Sequence, residues 1–105
     1  MRFLRGSDSK LGRYIALRAG AHLDSEFFPE SEAIRDFGSR AEYESLLCAR
    51  RIDSVVVFPS YDSSRGTNEH AWLERMARGG QGRVVVHRVE GGSAYDVYTV
   101  VRTGC

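Results

Sequence analysis

The polar loop over residues 59–68 contains the densest set of side chains that could bind a ligand. It follows a β-branched run at 55–58. In open α/β sheets, ligands bind beyond the carboxyl ends of strands, beside helix N-termini that attract anions. Hydroxyl, amide and guanidinium groups at this place would hold a phosphate or the hydroxyls of a sugar. The candidate ligand-binding residues are Ser60, Asp62, Arg65, Thr67 and Asn68.

A structural role is the alternative for the same loop. Asp62, Thr67 and Asn68 are typical turn and helix-cap residues, whose side chains accept hydrogen bonds from backbone N–H groups. The loop also lacks the GxGxxG and GxxxxGK[ST] spacings with which glycine-rich loops hold phosphates. Both interpretations stay open at the level of sequence.

A second candidate site is the alternating trio His22, Asp24 and Glu26. If this stretch is extended, the three side chains project from one face, because side chains alternate along a strand. An imidazole and two carboxylates could bind a divalent metal or act as acid and base. The alternative is a strand edge that carries charge for solubility. Since no fourth ligand is identifiable, we expect no metal and no cofactor.

The remaining histidines and cysteines have no partner at catalytic or metal-ligand spacing. His70 falls in the first turn of a predicted helix, and His87 falls within a predicted strand. Cys48 belongs to the apolar stripe of a helix, where nothing activates a thiol as a nucleophile. A disulfide between Cys48 and Cys105 is one alternative and two free thiols are the other. No catalytic residue is assigned.

The clearest predicted helix spans residues 40–51. Ser39 and Glu42 have the spacing of a capping box at its N-terminus, and apolar side chains recur at helical spacing along it. The run at 55–58 has no alternation, which is typical of an interior, parallel strand covered on both faces.

The second half of the chain predicts a helix and a hairpin. The helix is capped by Thr67 or Asn68 and buries Ala71, Trp72 and Met76. Strands at 83–89 and 95–101 flank a glycine turn and form an antiparallel hairpin.

The predicted elements follow one another as strand, irregular segment, helix, strand, helix, strand, strand. We expect an α/β fold, a small sandwich whose mixed, mostly parallel sheet ends in the antiparallel hairpin. Residues 1–12 are predicted to be a flexible lead-in, and 13–105 a single α/β domain whose first strand is at 14–17.

Composition excludes several functional classes. The 105 residues carry 15 basic and 14 acidic side chains, a formal net charge of +1, which argues against a nucleic-acid or anionic-lipid partner. The longest aliphatic run, at 55–58, is far shorter than the roughly 20 residues of a membrane-spanning helix. The N-terminus has no apolar run typical of a secretion signal. We therefore expect a soluble segment with a single hydrophobic core.

Two longer stretches carry a family resemblance. Residues 46–57 read LLCARRIDSVVV, and residues 83–100 read RVVVHRVEGGSAYDVYTV. A short helix leading into a valine-rich strand, then two strands around a glycine turn, resembles the C-terminal extracytoplasmic domain of bacterial polytopic membrane glycosyltransferases. These are the protein-mannosyltransferase-like enzymes that use lipid-phosphate sugars. Residues 17–24, LRAGAHLD, also resemble the early strand and glycine segment of that family.

The resemblance implies a non-catalytic accessory or ligand- or partner-binding domain of a larger membrane glycosyltransferase-like protein. In that family the catalytic carboxylates lie in the membrane-embedded part, so no catalytic residue carries over and this chain would be a fragment. The implied partners are the membrane-embedded remainder of the same polypeptide and carbohydrate or lipid-linked sugar. The implied location is the extracytoplasmic face of the bacterial membrane.

Two alternatives to the accessory domain follow from the residues alone. The first is a free-standing small α/β protein, in the cytoplasm, that binds a phosphorylated or sugar ligand at the 59–68 loop. The second is an interaction module that uses the exposed edge of its terminal hairpin.

Overall fold

A computed structural model of the chain describes residues 3–6, 20, 22–23, 36–58, 67–79, 82–91 and 95–105. Their strands are β1 (Phe3–Gly6), β2 (His22–Leu23), β3 (Ser54–Val57), β4 (Val84–Gly91) and β5 (Asp96–Arg102), and their helices are α1 (Arg40–Ala49) and α2 (Glu69–Ala77). The sheet has the order β2-β1-β3-β5-β4. β1 pairs in parallel with β2 and β3, and β5 pairs antiparallel with β3 and β4. The predicted α/β class, with a mixed sheet that ends in an antiparallel hairpin, is confirmed. The sheet is not mostly parallel among the described strands, because β5 of the hairpin pairs antiparallel with the interior strand β3 as well as with β4.

The N-terminal strand lies inside the sheet. Leu4 and Arg5 are both buried, and Arg5 pairs with Val55 of β3. The prediction of a flexible lead-in over 1–12 is therefore wrong for residues 3–6. A four-residue strand that contains an arginine and ends in glycine has too little apolar alternation to be recognised from sequence. The strand expected at 14–17 falls outside the described residues.

β3 is the interior strand that the β-branched run predicts. Val55 and Val57 pack with the helices, whereas Val56 packs on the opposite face of the sheet with Leu4 and Phe58. All three valines are inaccessible to solvent, as expected of a strand covered on both faces. The apolar cluster on the helical face also contains Phe37, Tyr43, Leu47, Ile52, Leu73, Met76, Val84, Val86, Tyr98 and Val100.

The N-terminus of α1 is capped as the sequence predicts. The Ser39 hydroxyl accepts a hydrogen bond from the backbone N–H of Glu42 at 3.2 Å, and the Glu42 carboxylate accepts one from the N–H of Gly38 at 2.9 Å. The return bond of the capping box therefore reaches one residue further back than usual. The N–H of Glu42, which the helix cannot satisfy internally, and the N–H of Gly38 just before the helix both gain acceptors.

The C-terminus of α1 forms a Schellman motif. The N–H of Ile52 donates to the carbonyl of Leu47 at 3.0 Å, and the N–H of Arg51 donates to that of Cys48 at 3.2 Å. Arg51 occupies the left-handed position of this motif with a φ of 53°, where glycine is the usual residue.

α2 buries Met76 and packs Trp72 against the core as predicted, but it buries Leu73 in place of Ala71. Leu73 and Met76 are buried, Trp72 is half-buried and Ala71 is exposed. Trp72 stays near the surface because its indole N–H donates to the carbonyl of Phe37 at 2.9 Å, which fixes the ring at the rim. Neither helix of the described residues has the length and apolar character needed to cross a membrane.

The outer strand of the hairpin is covered where it begins. Arg40 of α1 donates to the carbonyl of Val84 at 3.2 Å, and the buried carboxylate of Glu44 accepts from the N–H of Val84 at 3.0 Å. A Cβ at Gly82 would meet the ends of the Glu44 and Arg40 side chains, so a substitution there would displace both groups from Val84. Covering backbone groups at a sheet edge removes a template for pairing with another chain.

A disulfide joins Cys48 of α1 to Cys105, with 5.6 Å between the two Cα atoms. The sequence left open a disulfide or two free thiols, and the structure contains the disulfide. The carbonyl of Arg83 accepts hydrogen bonds from the N–H groups of Thr103 and Gly104 at 3.0 and 2.9 Å. The chain after β5 is thus held to α1 and to the start of β4.

Removing the disulfide should destabilise the fold. The bond links residues 57 positions apart, and closing a loop of that length stabilises by at most about 4 kcal/mol in the chain-entropy model. Because Cys105 is exposed, Cys105→Ser removes the bond without opening a gap in the core. We expect its free energy of unfolding, measured with urea, to fall by about 2–4 kcal/mol. Reduced wild-type protein should match the variant, and an unchanged midpoint would contradict the assignment.

Candidate functional site

A buried polar cluster links three elements of the core. Arg5 of β1 forms a two-point ion pair with Glu69 of α2, from Nε to Oε1 at 2.6 Å and from Nη2 to Oε2 at 3.1 Å. The hydroxyl of Tyr43 of α1 donates to the same Oε1 at 2.6 Å. The side chains of Arg5 and Glu69 are 2% and 1% exposed. Paired geometry of this kind is what allows charged groups to lie in a low-dielectric interior.

Glu69 is held in place by its position at the start of α2 as well as by Arg5 and Tyr43. It opens α2, where the helix dipole attracts an anion, and its own N–H donates to the hydroxyl of Thr67 at 3.2 Å. Burial, followed by the charge of Glu69, raises the pKa of Tyr43 well above its ordinary value. Tyr43 therefore stays protonated as a hydrogen-bond donor. The cluster is a fully paired structural assembly.

Breaking the Arg5–Glu69 pair should destabilise the protein strongly. Arg5→Met leaves the Glu69 carboxylate buried beside only a hydroxyl, and loss of one partner of a buried pair costs about 3–5 kcal/mol. The triple variant Arg5→Met/Tyr43→Phe/Glu69→Leu removes every polar member and should recover most of that loss. Thermal and urea unfolding of both variants checks this. A single variant as stable as the wild type would contradict the role of the pair.

The structure places two of the predicted ligand-binding residues in structural hydrogen bonds. The hydroxyl of Thr67 accepts from Glu69, and the amide of Asn68 pairs with both backbone groups of Phe37, at 2.7 Å to N and 2.9 Å to O. Asn68 is the N-cap residue of α2, yet its side chain makes no capping bond.

The other predicted site residues are described only in part. Ser60, Asp62 and Arg65 fall outside the described residues, and so do Asp24 and Glu26 of the candidate metal site. His22 is the first residue of β2. Within the described segments, no group of three His, Cys, Asp or Glu side chains is placed to hold a metal ion. These sites therefore stay predictions.

A cleft of about 280 Å³ lies between α2 and the β4–β5 hairpin, on the helical face of the sheet. Asp96 lines the cleft, and its Oδ1 accepts from Arg88 Nη2 at 2.8 Å while its Oδ2 lies 3.1 Å from Nε2 of His70. The cleft is lined by Glu74, Ala77, Arg78, Arg88, Asp96 and Tyr98.

The strands and the helix each supply part of the cleft. Asp96 and Tyr98 are two residues apart on β5 and so share a face, and Arg88 lies opposite Tyr98 in the register. A bulge between Arg88 and Glu90 makes Val89 the unpaired residue. Arg88 therefore stays on the face where it reaches Asp96.

Electrostatics keep the cleft polar over a wide pH range. Burial, followed by the charges of Asp96 and Glu74, raises the pKa of Tyr98 above its ordinary value, and Arg88 opposes this. The hydrogen bond and charge of Asp96 raise the pKa of Arg88. None of the described residues forms a hydrogen bond with the Tyr98 hydroxyl. Because its pKa is raised, the Tyr98 hydroxyl is protonated at neutral pH. Because it has no partner among the described residues, it is available to a ligand.

Sequence reasoning did not assign the cleft. The predicted strand at 95–101 covers Asp96 and Tyr98, and side chains two residues apart on a strand share a face. The face that the helices cover, and the bulge that keeps Arg88 beside Asp96, depend on tertiary packing. The sequence does contain one local sign of the cleft: Asp96 is a polar residue within a strand that is otherwise rich in apolar side chains.

The alkaline titration of Tyr98 should report the carboxylate of Asp96. With ¹³C-labelled tyrosine, NMR should show Tyr98 ionising above its ordinary pKa of 10.0, and Asp96→Asn should lower that pKa. Because the folded-state pKa lies above the unfolded value, the resulting stability is complete below about pH 10 and is lost as the pH rises through the folded-state pKa. Tyr43, whose pKa depends on Glu69 and Arg5, serves as the internal control. A Tyr98 pKa unmoved by Asp96→Asn would contradict this electrostatic account.

Comparisons with known proteins add no relative. No family model, no curated protein and no solved structure matches this chain. The chemistry of the cleft, the disulfide and the resemblance of residues 46–57 and 83–100 are therefore the basis for a functional proposal.

Proposed function

We propose that this chain is a non-catalytic accessory domain of a larger membrane glycosyltransferase-like protein, on the extracytoplasmic face of a bacterial membrane. Its partners are the membrane-embedded remainder of the same polypeptide and carbohydrate or lipid-linked sugar. The observation that carries the proposal is the disulfide between Cys48 and Cys105. Disulfides persist in oxidising compartments and are rare in the cytosol, so the bond favours the location that the resemblance implies.

The pairing of charged groups supports an accessory role. Glu69, Asp53 and Asp96 each lie within ion-pair distance of an arginine, Arg5, Arg102 and Arg88 respectively. Charge-assisted hydrogen bonds of this kind are strong and directional. Such pairs fix the relative positions of strands and helices, which is what a binding surface requires.

The free-standing ligand-binding alternative receives less support. Of its five candidate residues, Thr67 and Asn68 use their side chains to hold Glu69 and Phe37. A ligand at that place would have to compete with these intramolecular hydrogen bonds. The accessory domain is therefore the function that the described residues favour.

The compartment is testable by thiol labelling in intact cells that express the parent protein. A membrane-impermeant maleimide should leave wild-type protein unlabelled before reduction and should label it after treatment with a reductant. In Cys48→Ser the exposed Cys105 thiol is left without a partner, so intact cells should label it without reductant.

Two controls make the labelling experiment decisive. The double variant Cys48→Ser/Cys105→Ser should give no signal from this domain, and a permeant maleimide measures the total thiol. Wild-type thiols that react without reductant, but only after lysis, would place the domain in the cytoplasm and overturn the proposal.

A further inference from the structure

The cleft between α2 and the β4–β5 hairpin carries an inference about its ligand. We propose that it binds one ring of a neutral saccharide through the sugar hydroxyls. The proposal names the ligand of the accessory domain, and it rests on the proposed function only for the biological source of that sugar. The binding chemistry follows from charge, hydrogen bonding and size at the cleft.

The charges of the cleft select a neutral, polar ligand. Two carboxylates, Glu74 and Asp96, are balanced by two guanidiniums, Arg78 and Arg88. An anion such as phosphate would be repelled by both carboxylates, and a metal cation would be repelled by both guanidiniums. A sugar hydroxyl both donates and accepts, so it can pair with a carboxylate and a guanidinium together.

Tyr98 places a hydroxyl at the cleft. The residue is 1% exposed and lines the cleft, and no described residue bonds to its hydroxyl. Among the described residues this hydroxyl is not one of the fully buried atoms left without a partner, so the cleft is where it meets water or a ligand. The hydroxyl is therefore suited to accept from and donate to a group that enters the cleft.

Asp96 is oriented before any ligand arrives. Arg88 holds one carboxylate oxygen at 2.8 Å, and His70 faces the other at 3.1 Å. A carboxylate has about four acceptor positions, so hydrogen-bonding capacity remains for a sugar hydroxyl. Fixing a polar group in advance lowers the ordering cost of binding.

The size of the cleft limits the ligand. Its volume of about 280 Å³ is at the lower end of small-molecule sites, which begin near 300 Å³. Glu74 and Arg78 form an outer rim, with side chains 47% and 79% exposed. The cleft therefore accommodates a single ring, with the rest of a longer glycan outside it.

The test is an NMR titration of the ¹⁵N-labelled 105-residue chain with glucose, mannose, galactose and N-acetylglucosamine. We expect at least one sugar to shift the amides of Asp96 and Tyr98. Tyr98→Phe keeps the ring and removes only the hydroxyl, and Arg78→Ala removes an exposed donor. Each variant should weaken binding about two- to tenfold, the equivalent of one hydrogen bond.

Arg75→Ala is the matched control, because Arg75 lies on the same helix but stacks on Trp72 at 5.1 Å instead of lining the cleft. It should leave sugar affinity unchanged. No amide shift with any of the four sugars, or equal affinity in wild type and Tyr98→Phe, would overturn the proposal. Stronger shifts of the same amides by inorganic phosphate or Mg²⁺ would also overturn it, since the ligand class would then be charged.

The two proposals fail separately. Thiols that are reduced in the cytoplasm would overturn the accessory-domain function and leave sugar binding by the isolated chain intact. Failure of every sugar titration would overturn the cleft assignment and leave the labelling result intact.

Discussion

A guanidinium in the middle of a sheet must have a carboxylate beside it, and this requirement organises the rest of the protein. Arg5 lies on an interior strand and is buried, so Glu69 must reach it from α2. Apolar contacts alone would allow α2 to slide over the valine-rich sheet, because such contacts are not directional. The two-point ion pair and the bond from Tyr43 fix both helices to β1.

The same constraint positions the cleft on the other side of α2. Once Glu69 is fixed against Arg5, the next residue, His70, faces Asp96, and Glu74 and Arg78 follow at successive turns of the helix. The hairpin contributes the remaining half through Arg88, Asp96 and Tyr98. A structural ion pair in the core and a candidate binding surface at the rim therefore share one helix.

Local signals were enough to predict much of the fold. The capping box at Ser39, the buried strand at 55–58 and the C-terminal hairpin each depend on neighbouring residues and are found in the structure. β1 could not be predicted in the same way, because Arg5 is polar and its burial depends on Glu69, 64 positions later. Leu73 rather than Ala71 is buried because the Arg5–Glu69 pair sets the rotation of α2.

The candidate site was harder to predict than the fold. The sequence pointed to hydroxyl and amide side chains in a loop, and two of these, Thr67 and Asn68, hold the backbone instead. The cleft is formed by residues of two strands and a helix, and none of them belongs to a recognisable motif. Its assignment depends on the register of β4 with β5, including the bulge after Arg88, which the sequence does not determine.

The end of α1 has a consequence for how the protein can change. Arg51 holds a left-handed backbone conformation that costs a side-chain-bearing residue about 1–2 kcal/mol and costs glycine almost nothing. Its side chain is exposed, and the motif is held by backbone hydrogen bonds and by the burial of Leu47 and Ile52 on either side of it. Replacing Arg51 by glycine would therefore stabilise the fold without changing the core pair or the cleft. Such a gain in stability would offset destabilising substitutions elsewhere in the chain.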